Sequence, residues 1–190
     1  VTQLDALKAI QEKYNINIAT LHIHTGSEIK DVAVFLQSAD VFDTLLEKFP
    51  TVNVLDFGGG FKVPYQPNEK GTDIALLGAE VNKAMLRLSE KYGRKLMAWF
   101  EPGKYMVSEC GYFVTQVNVL KESGDIKFAG INTGLNHLIR PMFYDSYHHI
   151  DNISNPDGDK QSYAVVGNIC ETDTFAWDRE IPTIQEGDFL

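Results

Sequence analysis

Residues 21–28, LHIHTGSE, place two imidazoles two positions apart, directly before a Gly-Ser pair. Because side chains alternate along a strand, His22 and His24 share one face if this segment is extended. A metal could bind such a pair, or one imidazole could lie flat against a planar ligand. Two hydrogen-bonded interior histidines are equally compatible with the residues, since histidine is only intermediate in its tendency to be buried.

A run of three glycines follows in the segment DFGGGF, residues 56–61. Gly58, Gly59 and Gly60 would let the backbone approach a ligand closely and turn its N–H groups toward an anion such as a phosphate. The run is neither a Walker loop, which needs Gly-Lys followed by Ser or Thr, nor a dinucleotide fingerprint. A tight turn without a ligand is the alternative.

The segment FEPGK, residues 100–104, ends an apolar run with a carboxylate. A partly buried Glu101 needs a cation or a hydrogen-bond donor as its partner. That partner could be the protonated ring nitrogen of a ligand, or a nearby lysine or arginine. The residues leave both possibilities open.

Two segments in the second half of the chain combine charged and nucleophilic residues. The segment LNHLIRPMFYDSYHHI contains Arg140 and Tyr144, and an arginine can bind a carboxylate through two parallel hydrogen bonds. The segment NICETD sets the thiol of Cys170 beside the acid of Glu171. A free structural thiol and a solvated surface acid are the alternatives there.

The first 105 residues predict helices that alternate with strands. Three amphipathic helices are predicted: one over 2–14, one that starts at a cap at Asp31 and ends before Pro50, and one over 74–93. Strands are predicted over 16–24, 52–57 and 95–103. The order βαβαβ indicates parallel strands joined by helical crossovers. Ligands of parallel α/β folds gather at the carboxyl ends of the strands, where the histidines, the glycines and Glu101 all lie.

The pattern changes after residue 105, where no long helix is predicted beyond about residue 110. Alternating polar and apolar residues predict a hairpin of 112–123 and 126–134 around Ser-Gly-Asp, and further strands over 148–153 and 161–170. We therefore expect an α/β domain over 1–105 and a β-rich domain over 106–190. A closed (β/α)8 barrel takes about 250 residues, so the three βα units form either a small open sheet or part of a barrel.

The composition is that of an ordinary soluble globular protein, with 44% hydrophobic and 23% charged residues among 190. A formal net charge of −9 argues against nucleic-acid binding, which needs a basic surface. No run of about 20 apolar residues could span a membrane, and the start of the chain lacks the features of a signal peptide. Two cysteines far apart do not form a disulfide framework, which favours a reduced, cytoplasmic setting.

Five segments in this order, LHIHTGSE, LDFGGGF, FEPGKYMVSECG, LIRPMFYDSYHHI and VVGNICETDTFA, resemble those of the fold-type III pyridoxal-phosphate decarboxylases. The resemblance implies an alanine-racemase-like (β/α)8 TIM barrel followed by a β domain, in a homodimer that shares its active sites across the interface. Residues 1–105 would be the C-terminal part of the barrel, which binds pyridoxal 5′-phosphate, and residues 106–190 would be the start of the β domain.

Within that family, RPMFYDSYH and CETD resemble the branch that acts on meso-2,6-diaminopimelate. The implied reaction is decarboxylation of that amino acid to L-lysine and CO2, the last step of lysine biosynthesis. Decarboxylases of ornithine, arginine or carboxynorspermidine are the alternatives within the family. Outside it, the alternatives are a zinc hydrolase with His22 and His24 as metal ligands, and a non-catalytic relative that binds a partner enzyme.

The resemblance also implies a role for each motif residue, none of them in metal binding. His24 would stack on the pyridine ring and take part in catalysis, and Glu101 would pair with the protonated pyridine nitrogen, which makes the ring a better electron sink. Cys170 would lie near the reacting carbon in the active site of the other subunit. The remaining assignments are phosphate contacts for Ser27, Gly58, Gly59 and Gly60, a phosphate or carboxylate contact for Lys104, binding of the substrate's distal end by Arg140, Tyr144 and Glu171, and interior packing for His22.

Two departures from the family pattern concern the cofactor. The family usually reads Glu-Pro-Gly-Arg where this chain has Lys104, and a lysine keeps the charge but loses the two-pronged grip. The Schiff-base lysine motif, close to Tyr-Ala-x-Lys-Ala, does not occur in the sequence, and we interpret the chain as an internal segment of a longer enzyme. A partial barrel exposes strand edges, so we expect the segment alone to be inactive and poorly soluble, or to depend on a partner.

Overall fold

The structure, a computed structural model, describes residues 3–170 and 172–190. The chain forms two compact units. The N-terminal unit contains residues 3–64 and 70–110, and the C-terminal unit contains residues 65–69 and the described residues from 111 onward. The short segment 65–69 thus leaves the N-terminal unit and packs within the second one, a detail that the sequence pattern does not indicate.

Three helices and three short strands alternate in the N-terminal unit, which confirms the predicted βαβαβ order. They are α1 (Leu4–Tyr14), β1 (Thr20–His22), α2 (Ala33–Leu46), β2 (Val54–Asp56), α3 (Ile74–Tyr92) and β3 (Met97–Trp99). The strands are parallel in the order β1-β2-β3, with Val54 opposite both Thr20 and Met97. Each strand is shorter than its predicted range. Apolar residues beyond the strands, such as the fully buried Phe57, still pack into the core.

Polar residues and a glycine at the helix ends explain where helices start and stop. Asp31 accepts a hydrogen bond from the Ala33 N–H at 2.9 Å, and Asp73 accepts one from the Leu76 N–H at 2.9 Å. Gly93 follows α3 with a left-handed φ of 61°. The predicted cap at Asp31 and the predicted stop at Gly93 are therefore confirmed. None of the described helices is long and apolar enough to cross a lipid bilayer.

Aromatic side chains fill much of the core of the N-terminal unit. Phe42 of α2 meets Phe57 edge-to-face with ring centres 5.2 Å apart, and Phe35 stacks on Phe61 at 5.4 Å. All four rings are buried, and so is every residue of β2. The glycine run that follows β2 therefore starts from a strand that is fixed on both faces.

A four-stranded sheet and one short helix make up the C-terminal unit. They are β4 (Val117–Ser123), β5 (Ile126–Ile131), α4 (Arg140–Tyr144), β6 (Lys160–Val166) and β7 (Thr174–Pro182). The order is β4-β5-β6-β7, with β5 and β6 parallel and both outer pairs antiparallel. β4 and β5 form the predicted hairpin, in which Gly124 and Asp125 are the loop residues and Gly124 has a positive φ of 60°.

The structure differs from the sequence-based prediction at two places in this unit. Residues 148–153 form no strand, so that prediction is wrong; the buried Asn152 side chain there donates to the Thr183 carbonyl and to Asp188 in place of ladder bonds. Strand β7 is missed by the sequence pattern, because the charged run 178–180 interrupts its apolar residues. Its antiparallel pairing with β6 is what makes it a strand.

Candidate functional site

The carboxyl ends of the three parallel strands bring together the motif residues of the first half of the chain. His24 follows β1, the glycine run 58–60 follows β2, and Glu101 follows β3. The Glu101 N–H donates to the Gly58 carbonyl at 2.8 Å, so two of these strand ends are joined directly. The convergence that the sequence predicts at one edge of the sheet is therefore present in the structure.

Close backbone contacts require the three consecutive glycines. A Cβ atom at Gly59 would collide with the carbonyl oxygen of Glu101, and one at Gly60 would collide with that of Gly26. Gly58 and Gly60 also have positive φ values of 68° and 85°, which residues with a side chain rarely adopt. The glycine run therefore lets the strand ends approach within backbone contact of one another.

The glycine run also holds the side chain of His24. Nδ1 of His24 accepts a hydrogen bond from the Gly59 N–H at 3.3 Å, while the Gly58 N–H donates to Oδ1 of the buried Asp56 at 3.0 Å. The imidazole remains exposed to solvent. An exposed ring in a fixed orientation can stack on a planar ligand, so this geometry suits the role predicted for His24, which stays a prediction.

His22 lies beside Glu101, and its interpretation as an interior packing residue is wrong for the described chain. Its Nε2 is 3.2 Å from Oε2 of Glu101, and both side chains are about half exposed. His22 opposes Asp56 in the ladder of β1 and β2, and ligand atoms of the three residues lie within 4.8 Å of one another. Among the described residues, the three side chains close enough to share a metal ion are therefore His22, Asp56 and Glu101, and His24 is not one of them.

A cluster of charged side chains adjoins the glycine run. Lys104 forms an ion pair with Glu28, and Nζ of Lys62 lies 3.5 Å from the same carboxylate. Glu28 directly follows Ser27, which is exposed as a phosphate contact would require. Glu28 carries no prediction from the sequence, although a charge immediately after the Gly-Ser pair is a visible signal.

Arg140 and Tyr144 come together in the C-terminal unit. The guanidinium carbon of Arg140 lies 5.6 Å from the ring centre of Tyr65 and 5.5 Å from that of Tyr144. Arg140 also donates to the Tyr65 hydroxyl at 3.3 Å and to the Ser146 hydroxyl at 3.1 Å. These contacts hold the guanidinium group in one orientation. Binding of a carboxylate by Arg140 stays a prediction. Sequence reasoning missed Tyr65, because it is 75 residues away from Arg140 along the chain.

Burial and positive charge surround His148 in the same unit. Burial, followed by the charges of Arg140 and Arg179, lowers the pKa of His148 below its ordinary value. Its ring meets the Tyr65 ring edge-to-face at 6.0 Å. Arg179 lies 4.0 Å from the centre of the Tyr147 ring, and both residues line a cavity of about 540 Å³. Two arginines that disfavour a charged histidine also make this region favourable for an anionic group.

A buried aspartate shapes the loop that carries Cys170. The Asp173 carboxylate accepts hydrogen bonds from the Leu135 N–H at 2.7 Å and from the Ile169 N–H at 2.8 Å. The loop is thereby joined to the residues that follow β5. The Cys170 thiol is exposed, which is compatible with the predicted approach to a second subunit. Glu171, the predicted acid beside it, lies outside the described residues.

The chain matches the family model described as pyridoxal-dependent decarboxylase, C-terminal sheet domain, over residues 41–190. Similar curated proteins include the diaminopimelate decarboxylases of Methanothermobacter thermautotrophicus, 37% identical over 178 residues, and of Aquifex aeolicus, 34% identical over 181 residues. These matches cover 90% and 93% of this chain but 41% and 42% of the relatives. The chain therefore spans less than half the length of these proteins.

Solved structures of diaminopimelate decarboxylases share the fold of this chain. One crystal structure superimposes with a TM-score of 0.90 at 28% identity, covering 99% of this chain and 48% of the other. The protein from M. jannaschii in complex with L-lysine has a TM-score of 0.84 at 30% identity, covering 97% of this chain and 44% of the other. A lysine/ornithine decarboxylase from Vibrio vulnificus, at 23% identity and a TM-score of 0.79, is similar in fold alone.

These likenesses bear on both the fold and the family predicted from the sequence. The predicted fold class, an α/β segment followed by part of a β-rich domain, is confirmed by the element order and the solved structures. The resemblance to pyridoxal-phosphate decarboxylases is confirmed by a family match that covers more than half of the residues. The chain belongs to the pyridoxal-dependent decarboxylase family.

Proposed function

We propose that the natural protein containing this chain decarboxylates meso-2,6-diaminopimelate to L-lysine and CO2 with pyridoxal 5′-phosphate, in the last step of lysine biosynthesis. The observation that carries this proposal is the convergence of His24, the glycine run 58–60 and Glu101 at one edge of a parallel sheet. Relatives named for this activity, at 37% and 34% identity over most of the chain, support the choice of substrate.

The residues at the sheet edge fit pyridoxal phosphate in shape and charge. The exposed imidazole of His24 would lie against the pyridine ring, and Ser27, the glycine run 58–60 and Lys104 would hold the phosphate. A Cβ atom at any of the three glycines would collide with protein atoms, so the cradle depends on glycine. When bound, the cofactor supplies an electron sink for the carbanion left by the departing CO2.

Glu101 would set the charge of the ring nitrogen. A carboxylate beside that nitrogen favours its protonated form, because opposite charges stabilise each other in a partly desolvated site. His22 holds this carboxylate through its 3.2 Å contact with Oε2. We therefore assign His22 the role of orienting Glu101.

We assign recognition of the substrate's distal end to residues of the second half of the chain. That end of meso-2,6-diaminopimelate carries a carboxylate and an ammonium group. Arg140, with Tyr144 beside it, would bind the carboxylate, and Glu171 would bind the ammonium group. Cys170 would lie near the reacting carbon of the substrate bound by the other subunit.

The finer architecture is part of the same proposal. Residues 1–105 would contribute the C-terminal part of a closed (β/α)8 TIM barrel, and residues 106–190 the start of the β domain. The natural protein would be a cytoplasmic homodimer, with each active site built from both subunits. The described parallel sheet has two edge strands, β1 and β3, each with one unpaired edge. These edges support the barrel proposal, because further strands of a closed barrel would pair with both of them.

CO2 release by the natural-length protein tests the proposed function. Purified protein with added pyridoxal phosphate is offered meso-2,6-diaminopimelate, ornithine and arginine in parallel reactions. Release from diaminopimelate alone is the expected result. Release from ornithine or arginine instead would contradict the roles of Arg140 and Glu171 but keep the cofactor. Release of CO2 from none of the substrates would contradict the proposed function, whether or not metal analysis finds zinc in the protein.

The variant Glu101→Gln tests the cofactor site itself. A neutral amide cannot stabilise a protonated ring nitrogen, so we expect decarboxylation to slow by about 10²-fold or more and the absorption spectrum of the bound cofactor to change. Glu122→Gln removes the same charge from an exposed position on β4 and should keep full activity as the matched control. An unchanged rate and spectrum for Glu101→Gln would show that Glu101 does not face the cofactor.

A further inference from the structure

We propose that Glu28 is a built-in counter-ion that competes with the cofactor's phosphate for Lys104 and so sets the affinity of the glycine cradle for anions. The inference rests on the proposed function, which identifies the anion as the phosphate of pyridoxal phosphate. It makes Glu28 a residue that sets the affinity of the anion site, in addition to the residues that resemble the family motifs.

Two cations engage the Glu28 carboxylate at once. One carboxylate oxygen forms an ion pair with Lys104, and the other lies 3.5 Å from Nζ of Lys62. The Lys104 and Lys62 side chains are 33% and 17% exposed, and the Glu28 side chain is 37% exposed. Because the cluster is partly buried, water and salt screen it less than an ion pair on the open surface, and the charge of Glu28 acts on an anion bound at Lys104.

The backbone places Glu28 between two residues that contact the glycine run, Gly26 and Ile29. Glu28 has a positive φ of 59°, which is uncommon for a residue other than glycine, asparagine or aspartate. The next residue is fixed, since the Ile29 N–H donates to the Gly60 carbonyl at 2.8 Å, and Gly60 itself packs against Gly26 too closely for any side chain. A left-handed conformation costs free energy and persists where the surrounding structure imposes it, often at ligand sites.

The charge balance sets the direction of the expected effect. Lys62 and Lys104 each carry a positive charge, and the carboxylate of Glu28 places a negative charge against both. A phosphate that approaches Lys104 meets the negatively charged Glu28 carboxylate, which repels it. The phosphate must either share the Lys104 ammonium group with Glu28 or displace Glu28 from it. Lysine is a compact charge on a flexible stem, so its ammonium group can move from Glu28 to a phosphate. Replacement of Glu28 by glutamine removes the repulsion at nearly constant shape, and anion binding should become tighter.

Equilibrium binding to the natural-length protein and to its Glu28→Gln variant tests the inference. The dissociation constant of pyridoxal phosphate comes from absorbance titration and that of inorganic phosphate from calorimetry, each at low and at physiological ionic strength. We expect Glu28→Gln to lower both constants by about 3- to 5-fold, with the larger change at low salt.

Two further variants show whether the effect is local. In a Lys104→Gln background the effect of Glu28→Gln should shrink, because the competition for that ammonium group has been removed. Glu12→Gln removes one negative charge from an exposed position on α1 and should leave both constants unchanged as the matched control.

Unchanged or weaker anion binding by Glu28→Gln would overturn the inference, since Glu28 would then align Lys104 for the phosphate or have no effect on it. Failure of the proposed function looks different. An unmodified protein that binds inorganic phosphate but no pyridoxal phosphate would overturn the cofactor assignment, while the phosphate titration still decides the role of Glu28. An unmodified protein that binds neither would overturn both.

Discussion

At the scale of single residues, contacts with neighbouring side chains fix the orientation of the Arg140 guanidinium group. Arg140 is held by the rings of Tyr65 and Tyr144 and by the Ser146 hydroxyl. Little of its rotamer freedom would therefore remain to be lost on binding of the carboxylate that we propose as its ligand. The nearby His148 has a lowered pKa, so the positive charge of this region comes from arginines that stay charged at any working pH.

The lowered pKa of His148 makes the free energy of unfolding depend on pH. Above the ordinary histidine pKa of about 6.5, the imidazole is neutral in the folded and unfolded chain and contributes no pH dependence. As the pH falls through that value, the unfolded chain binds a proton at His148. The folded chain binds it only at lower pH, because of burial and of Arg140 and Arg179. The stability present at higher pH is therefore lost on acidification.

We expect His148→Gln to reduce this loss of stability between about pH 7 and pH 5. Urea unfolding of the natural-length protein at several pH values measures it, and the variant should show a smaller slope of unfolding free energy against pH. His149→Gln, the matched control, keeps His148 and should keep the loss of stability that His148 causes. Equal slopes for His148→Gln and the unmodified protein would contradict this account of His148.

At the scale of elements, a cluster of charges around Asp43 joins α2 to α3. The Asp43 carboxylate lies 2.7 Å from Nζ of Lys91 and 3.4 Å from the Arg87 guanidinium, and it accepts a hydrogen bond from the Tyr92 hydroxyl at 2.8 Å. The hydrogen bond from Lys91 is the main cause that lowers the pKa of Asp43, and partial burial opposes it. The same bond raises the pKa of Lys91, so the pair stays ionised over a wide pH range.

We expect Asp43→Asn to lower the free energy of unfolding by about 1 kcal/mol at pH 7, measured by urea unfolding. Because the pKa of Asp43 is lowered in the folded chain, its contribution is fully present above the ordinary carboxyl pKa of about 4 and is lost as the pH falls through the folded value. The variant and the unmodified protein should therefore become equally stable in acid.

Asp40→Asn is the matched control for this prediction, on the same helix. The Asp40 side chain is 76% exposed and meets Arg87 at 3.4 Å, so its removal should change the unfolding free energy little. A difference between Asp43→Asn and the unmodified protein that stays constant from neutral to acid pH would show that the carboxylate charge is not its cause.

At the scale of the whole molecule, the open edges of the parallel sheet decide how the chain behaves alone. In the described residues, β1 and β3 each pair with β2 and with no other strand. Met97 and Trp99 of β3 are 42% and 53% exposed, so large apolar side chains lie on an edge strand. Unpaired strand edges with exposed apolar residues favour association with other chains.

We expect the 190-residue chain produced alone to self-associate and to release no CO2 from meso-2,6-diaminopimelate. Size-exclusion chromatography with light scattering measures the association. Trp99→Lys should reduce it, because a charge on an edge strand opposes edge-to-edge pairing. Glu122→Lys, a change at another exposed position, on β4, is the comparison and should not reduce it. A monodisperse and active preparation of the 190-residue chain would refute the expectation.

Most elements could be predicted from the sequence, because helices and hairpins depend on neighbouring residues. The predicted helix 74–93 is found as Ile74–Tyr92, and the predicted hairpin is found around Gly124 and Asp125. The wrong strand at 148–153 shows the limit. Its backbone is shaped by Asn152, whose hydrogen-bond partners are 31 and 36 residues away, and no local pattern reports partners at that distance.

The sequence by itself determined the composition of the candidate site, because glycines, an imidazole and a carboxylate at the ends of predicted parallel strands must meet at one edge. Only the tertiary structure decided which side chains pair there. Three contacts were invisible to the sequence: His22 with Glu101, Lys104 with Glu28, and Arg140 with Tyr65. The partners are 79, 76 and 75 residues apart, and only the packing of whole elements brings such residues into contact.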